Sequence, residues 1–135
     1  MRPRACRASL VAVAKKILVI EDDADIRTLL KVRLEKAGYD TAFAWDAVTA
    51  LTVARKEQPD SIILDLGLPG GDGYVVMDRF HAFAALSMIP IFVVSAQTPE
   101  LHAERARAAG ARDFFGKPIE MDRLLAAVGD VLGGN

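Results

Sequence analysis

Glu21, Asp22, Asp65, Ser95 and Lys117 are the residues of this chain whose types could do chemistry together. Asp65 is the hardest of them to explain otherwise. It stands in the stretch Ser61 to Tyr74, SIILDLGLPGGDGY, where an apolar run delivers a carboxylate and then breaks at once into a Gly/Pro-rich loop. A carboxylate at the end of a buried run must be solvated, paired or bound to a cation, because burying it alone costs several kcal/mol or forces its protonation. The glycines that follow allow backbone to approach a ligand closely.

Taken singly, each of the other groups has an ordinary structural role. The run EDD (Glu21, Asp22, Asp23) makes an acidic first helical turn with Asp22 or Asp23 as N-cap. Ser95 is a strand-end hydrogen bonder and Lys117 a solvated surface lysine. Taken together, acids for a metal, one further carboxylate, a hydroxyl and a lysine complete a phosphoryl-transfer site. Metal and lysine neutralise, the hydroxyl orients, and Asp65 attacks. Converging carboxylates repel unless a hard cation sits between them, and magnesium suits oxygen donors best.

The elements that must position these groups follow from two alternating periodicities. ILVI (17–20), TAFAW (41–45), SIILDL (61–66), IPIFVVSA (89–96) and DFFG (113–116) read as strands, three of them as nearly continuous apolar runs. Between them, Ile26, Leu29, Leu30, Arg33 and Ala37 follow helical spacing, as do Ala47, Ala50, Leu51 and Ala54. Gly38 ends the first pattern as a helix C′ residue. A third helix is expected after Gly73 and a fourth at Thr98-Pro99, with Thr98 as N-cap. A fifth runs from about Glu120 to Leu132, with Leu124, Leu125, Val128 and Val131 facing inward. Five strand-helix repeats call for a parallel sheet covered by helices on both faces. Ligands bind such sheets beyond the carboxyl ends of the strands, where all the candidate residues fall.

The chain has 135 residues, enough for one domain with its own core. Its 17 basic and 18 acidic residues give a formal net charge of −1, so no global field draws it to nucleic acid or to an anionic membrane. The lone Cys6 excludes an intramolecular disulfide and a cysteine-built zinc site, which points to a reducing, cytoplasmic setting. The N-terminal MRPRACRASLVAVA is arginine-rich, but Lys15 and Lys16 cut its apolar part short of a secretory signal. Residues 1–14 read as a disordered extension and 15–133 as the domain. No segment is long enough to span a membrane.

KILVIEDDADIRTLL, PDSIILDLGLPGGDGY, IPIFVVSAQ and DFFGKP resemble, in order and spacing, the receiver domain of two-component response regulators of the single-domain type. The likeness covers about Lys16 to Leu132. It implies the flavodoxin-like (βα)5 α/β fold, a doubly wound five-stranded parallel sheet of order 2-1-3-4-5. It further implies that Asp65 accepts a phosphoryl group from a sensor histidine kinase or histidine phosphotransfer protein. Glu21 and Asp22 fall on the family's acidic pair, with Asp22 the direct magnesium ligand. Asp65 and the backbone carbonyl of Gly67 complete the metal set, in which manganese or calcium substitutes.

The same resemblance assigns Ser95 and Lys117 to the phosphoryl oxygens, Ala96 to the small position beside the serine, and Phe114 to the aromatic switch. The bond between Lys117 and Pro118 is expected to be cis. Gly67 and Gln97 fall on positions that tune dephosphorylation, and the missing side chain at Gly67 implies appreciable self-dephosphorylation. Phosphorylation adds about −1.5 to −2 units of charge and is expected to change the surface of the fourth helix, fifth strand and fifth helix. Glu21, Phe114 and Ile119 depart from the commonest residues of the pattern without removing a required group.

The chain stops just past the fifth helix, so it is expected to carry no effector domain, acting either alone or as a fragment of a longer regulator. Arg27, Leu30 and Lys31 are candidates for the surface that selects the kinase. Glu104, Arg105, Arg107, Asp122 and Arg123 offer both charge signs for a homodimer, at little energy per pair. Two competing readings are a magnesium-dependent phosphohydrolase and a degenerate receiver that signals without phosphorylation. The hydrolase lacks its usual second acid, since that position is Gly67. The intact set Asp22, Asp65, Ser95 and Lys117 argues against the degenerate receiver.

Overall fold

The computed structural model describes residues 14–70 and 72–133. The expected extension, apart from Ala14, lies outside the described residues, as does Cys6. Strands and helices alternate as β1 (Lys16–Ile20), α1 (Ala24–Lys36), β2 (Asp40–Ala44), α2 (Ala47–Glu57), β3 (Ser61–Asp65), α3 (Gly73–Ala82), β4 (Ile91–Ser95), α4 (Pro99–Ala108), β5 (Asp113–Gly116) and α5 (Met121–Leu132). The strands form one parallel sheet in the order β2-β1-β3-β4-β5, the expected flavodoxin-like arrangement. No helix among the described residues is long and apolar enough to cross a membrane.

The three continuous apolar runs are the three central strands, because only strands with neighbours on both edges and helices on both faces lose all contact with water. Alternation along each strand divides the core. Leu18, Ile20, Ile62, Leu64, Val93 and Phe114 pack with α2, α3 and α4. Ile17, Val19, Ile63, Phe92, Val94 and Phe115 pack with α1 and α5. Phe114 and Phe115 are both buried but serve opposite faces, as period-2 alternation demands.

Some boundaries and faces differ from the expectation. β2 is an edge strand that ends at Ala44, leaving Trp45 56% exposed. The buried row of α1 runs through Ile26, Leu30 and Leu34, while Leu29 and Val32 face solvent. Leu29 precedes Leu30 by one residue and so lies about 100° around the helix from the contact row. Leu30 is wholly buried, which removes it from any kinase-facing surface. α3 begins on Gly73 itself, with Asp72 as N-cap accepting the Tyr74 N–H at 2.7 Å. A Cβ on Gly73 would lie 2.6 Å from the Leu66 Cα, so the close return of the loop to β3 requires glycine there. α4 starts at Pro99 after Thr98, whose side chain makes no capping bond.

Candidate functional site

The sheet order makes β1 and β3 neighbours while β2 lies on the far side of β1, so the order reverses between β1 and β3. Ile20 pairs with Leu64, Asp65 with Val94, and Ser95 with Gly116. That register brings Glu21, Asp65, Ser95 and Lys117 to one edge of the sheet. The Lys117 N–H donates to the Ser95 carbonyl at 2.8 Å, which extends the ladder one step past β5. Glu21, Asp65 and Ser95 are 1%, 5% and 2% exposed. Asp22 is exposed, and Asp23 turns away to cap α1, its Oδ1 accepting the N–H groups of Asp25 and Ile26 at 2.8 and 3.1 Å.

The lysine ties the acids together. Lys117 Nζ donates to Asp65 Oδ2 at 3.3 Å and stands 2.9 Å from Glu21 Oε1, a charge contact rather than an aligned hydrogen bond. Glu21 Oε2 accepts the Asp23 N–H at 3.1 Å, and Asp65 Oδ1 accepts the Gly67 N–H at 3.1 Å. Asp65 therefore survives burial because an ammonium and a backbone N–H replace its water. Ser95 Oγ accepts the Gln97 N–H at 3.0 Å and so turns toward its own loop.

Burial pushes the Glu21 carboxyl above its ordinary value, and the nearby Asp65 charge adds to this, while the Lys117 and Asp23 contacts oppose it. Burial works against the Lys117 ammonium as well, but Glu21 and Asp65 together outweigh it and hold the lysine above its ordinary value. The lysine stays charged.

Glu21, Asp22 and Asp65 each offer a carboxylate oxygen, all within 4.8 Å of one another. Three carboxylates facing one ammonium leave an excess of negative charge on hard oxygen donors. A divalent cation fits that donor set.

The remaining candidates fall around this cluster. Gly67, Ala96 and Gln97 are exposed at its rim, and Phe114 lies inside the core below it. The Lys117–Pro118 peptide is cis. The α3 end of the β3 loop is tied down by the Gly73 N–H on the Leu66 carbonyl, 3.1 Å, and the Pro69 carbonyl accepts the Ala47 N–H at 3.0 Å.

Four of the five charges expected to serve a dimer, all but Glu104, have partners within the chain. Asp122 pairs with Arg33 at 2.9 Å, Arg107 with Asp113 at 3.0 Å and Arg123 with Glu120 at 3.5 Å, and Arg105 lies over the Tyr74 ring. Sequence reasoning also missed the setting of Arg27, which it placed on an open face. The guanidinium instead folds back on the loop after β1 and onto Trp45. Helical spacing carries no signal for that.

The sequence matches the response regulator receiver domain over residues 17–129. It is 38% identical to the transcriptional regulatory protein YxdJ of Bacillus subtilis over 113 residues, which cover 84% of this chain and 48% of that protein. The chain thus spans about half the length of the curated relatives it matches. Among solved structures, a putative response regulator of Chloroflexus aurantiacus superposes with a TM-score of 0.84 at 30% identity, over 90% of this chain and 99% of that one. The receiver domain of the sensor histidine kinase PA1611 of Pseudomonas aeruginosa superposes with a TM-score of 0.80 at 26% identity, over 90% and 99%, and holds a magnesium ion in its active-site cleft. With its sheet order, its acidic cleft and a match that spans most of its length, the chain belongs to the response regulator receiver domain family.

Proposed function

We propose that residues 15–133 form a phospho-acceptor switch that takes a phosphoryl group on Asp65 from a sensor histidine kinase or a histidine phosphotransfer protein. The observation that carries this reading is the Asp65 carboxylate, held at a strand end between two further acids and the Lys117 ammonium. In the transfer, an Asp65 oxygen forms the new bond to phosphorus as the bond from phosphorus to the donor's imidazole nitrogen breaks, with the electron pair leaving on the imidazole. Magnesium, for which manganese or calcium can stand in, supplies positive charge to the phosphoryl oxygens when bound by Glu21, Asp22, Asp65 and the Gly67 carbonyl.

The chain's own groups do the rest. Lys117 loses part of its hold on Glu21 and Asp65 and pairs with the acyl phosphate. Ser95 gives up the Gln97 N–H and donates its hydroxyl to a phosphoryl oxygen, with Ala96 leaving room beside it. Phe114, already in the core, repacks against the space the serine vacates, which carries the change to the α4, β5 and α5 surface and to a partner protein or second copy of the chain. Gly67 and Gln97, both at the rim, govern water's access to the acyl phosphate, so the chain catalyses only its own phosphorylation and dephosphorylation.

We place this activity in the cytoplasm. YxdJ is a transcriptional regulatory protein, so a transcriptional output fits the family, but nothing in residues 14–133 is proposed to touch nucleic acid. The deciding experiment is intact mass after incubation with magnesium and acetyl phosphate, comparing wild type with Asp65→Asn. One added phosphoryl group, dependent on magnesium and absent from the variant, is expected. Folded wild-type protein that gains no mass would sink the reading.

A further inference from the structure

Arg27 is the fourth residue of α1, half-buried, and has no part in the phosphoryl and metal roles proposed above. We propose that it is the positioning residue that holds the Glu21 and Asp22 carboxylates ready for the divalent cation, an inference that rests on the metal-site reading above.

A single guanidinium nitrogen, Nη1, donates to the Glu21 carbonyl and to the Asp22 carbonyl, each at 2.9 Å. These carbonyls belong to two consecutive peptide units. In a trans peptide the N–H points opposite to the C=O, so fixing two carbonyls on one side fixes two N–H groups on the other. One of those is the Asp23 N–H, and it donates to Glu21 Oε2. The loop between β1 and α1 is thereby clamped with its carbonyls toward Arg27 and the Glu21 carboxylate on the opposite side, with Asp65 and Lys117.

The clamp is itself held at both ends. The Arg27 N–H bonds the Asp23 carbonyl at 3.0 Å as α1 begins, and the guanidinium carbon lies 5.1 Å from the centre of the Trp45 ring. Trp45 follows Ala44, whose carbonyl accepts the Glu21 N–H at 3.0 Å, so the stacking platform and the clamped loop grow from the same rung of the sheet. A planar guanidinium can stack on an indole while its edge serves two carbonyls, whereas a lysine ammonium is a point charge without a face. Groups that orient metal ligands in this way affect metal affinity by about 10–100-fold when removed.

The test is isothermal titration of magnesium into the whole chain, wild type against Arg27→Gln, Arg27→Lys and Asp22→Asn, with a urea midpoint for each metal-free protein. Arg27→Gln is expected to raise the magnesium Kd by about 10–100-fold, with Arg27→Lys in between. The magnesium concentration for half-maximal phosphorylation by acetyl phosphate moves up by the same factor. Wild-type affinity in Arg27→Gln overturns this inference and leaves the metal site standing. If Arg27→Gln does not fold without metal, Arg27→Lys decides, since wild-type affinity there overturns the inference and a several-fold loss supports it. A wild-type chain that binds no magnesium, like Asp22→Asn, overturns both readings at once. A role for Arg27 in docking a kinase alone would leave the magnesium Kd unmoved and so also overturns it.

Discussion

Glu21 is a buried carboxylate with two duties, one oxygen against Lys117 and the other on the Asp23 N–H. Its raised pKa says that the fold holds the ionised form at a cost, because burial and the neighbouring Asp65 outweigh the lysine. Functional sites commonly carry such a cost in stability. Glu21→Gln keeps the shape and removes the charge, and Lys117 retains Asp65 as partner. In metal-free buffer at pH 7 the variant should unfold at higher urea, by about 0.5–2 kcal/mol. A lower midpoint would mean that the Glu21–Lys117 contact outweighs the desolvation of the acid.

Short acids cap the starts of α1, α2 and α3, and α2 shows this most simply. Asp46 Oδ1 accepts the Thr49 N–H at 2.8 Å and the Thr49 hydroxyl at 2.9 Å. The backbone bond, with help from the hydroxyl, holds the Asp46 carboxyl below its ordinary value of 3.8. The folded state therefore favours the ionised form, and the stability this adds is fully present above pH 3.8 and lost as pH falls through the depressed folded value. Asp46→Ala should lower the urea midpoint at pH 7, and the gap from wild type should close in acid below that value. A gap that persists undiminished there would show that the cap acts without its charge.

The described residues form one sheet with a core on each face, so damage to one face should be felt across the domain. Phe92 is wholly buried on the α1 and α5 side, the second residue of β4 and two residues before Val94, which pairs with Asp65. Phe92→Ala should cost about 3–5 kcal/mol, the range for large cavities in well-packed cores. Urea curves followed by Trp45 fluorescence and by far-ultraviolet circular dichroism should shift together. Curves that separate would show that the two cores unfold as distinct units.

The apolar runs of β1, β3 and β4 and the helical spacing between them determined the element order and the sheet, because strands buried on both faces admit few arrangements. The gathering of Glu21, Asp65, Ser95 and Lys117 at one edge was legible for the same reason, since a parallel sheet sends all its carboxyl ends to one edge. What the tertiary structure alone decided lies in side-chain direction over long sequence separations. Arg33 meets Asp122 across 89 residues, and Lys117 meets Asp65 across 52. Leu30 rather than Leu29 enters the core, and Arg27 turns from an open helix face to the loop it clamps. Local pattern says which residues are apolar or charged. Which of them meet depends on the angle at which each helix lies on the sheet, and only packing sets that angle.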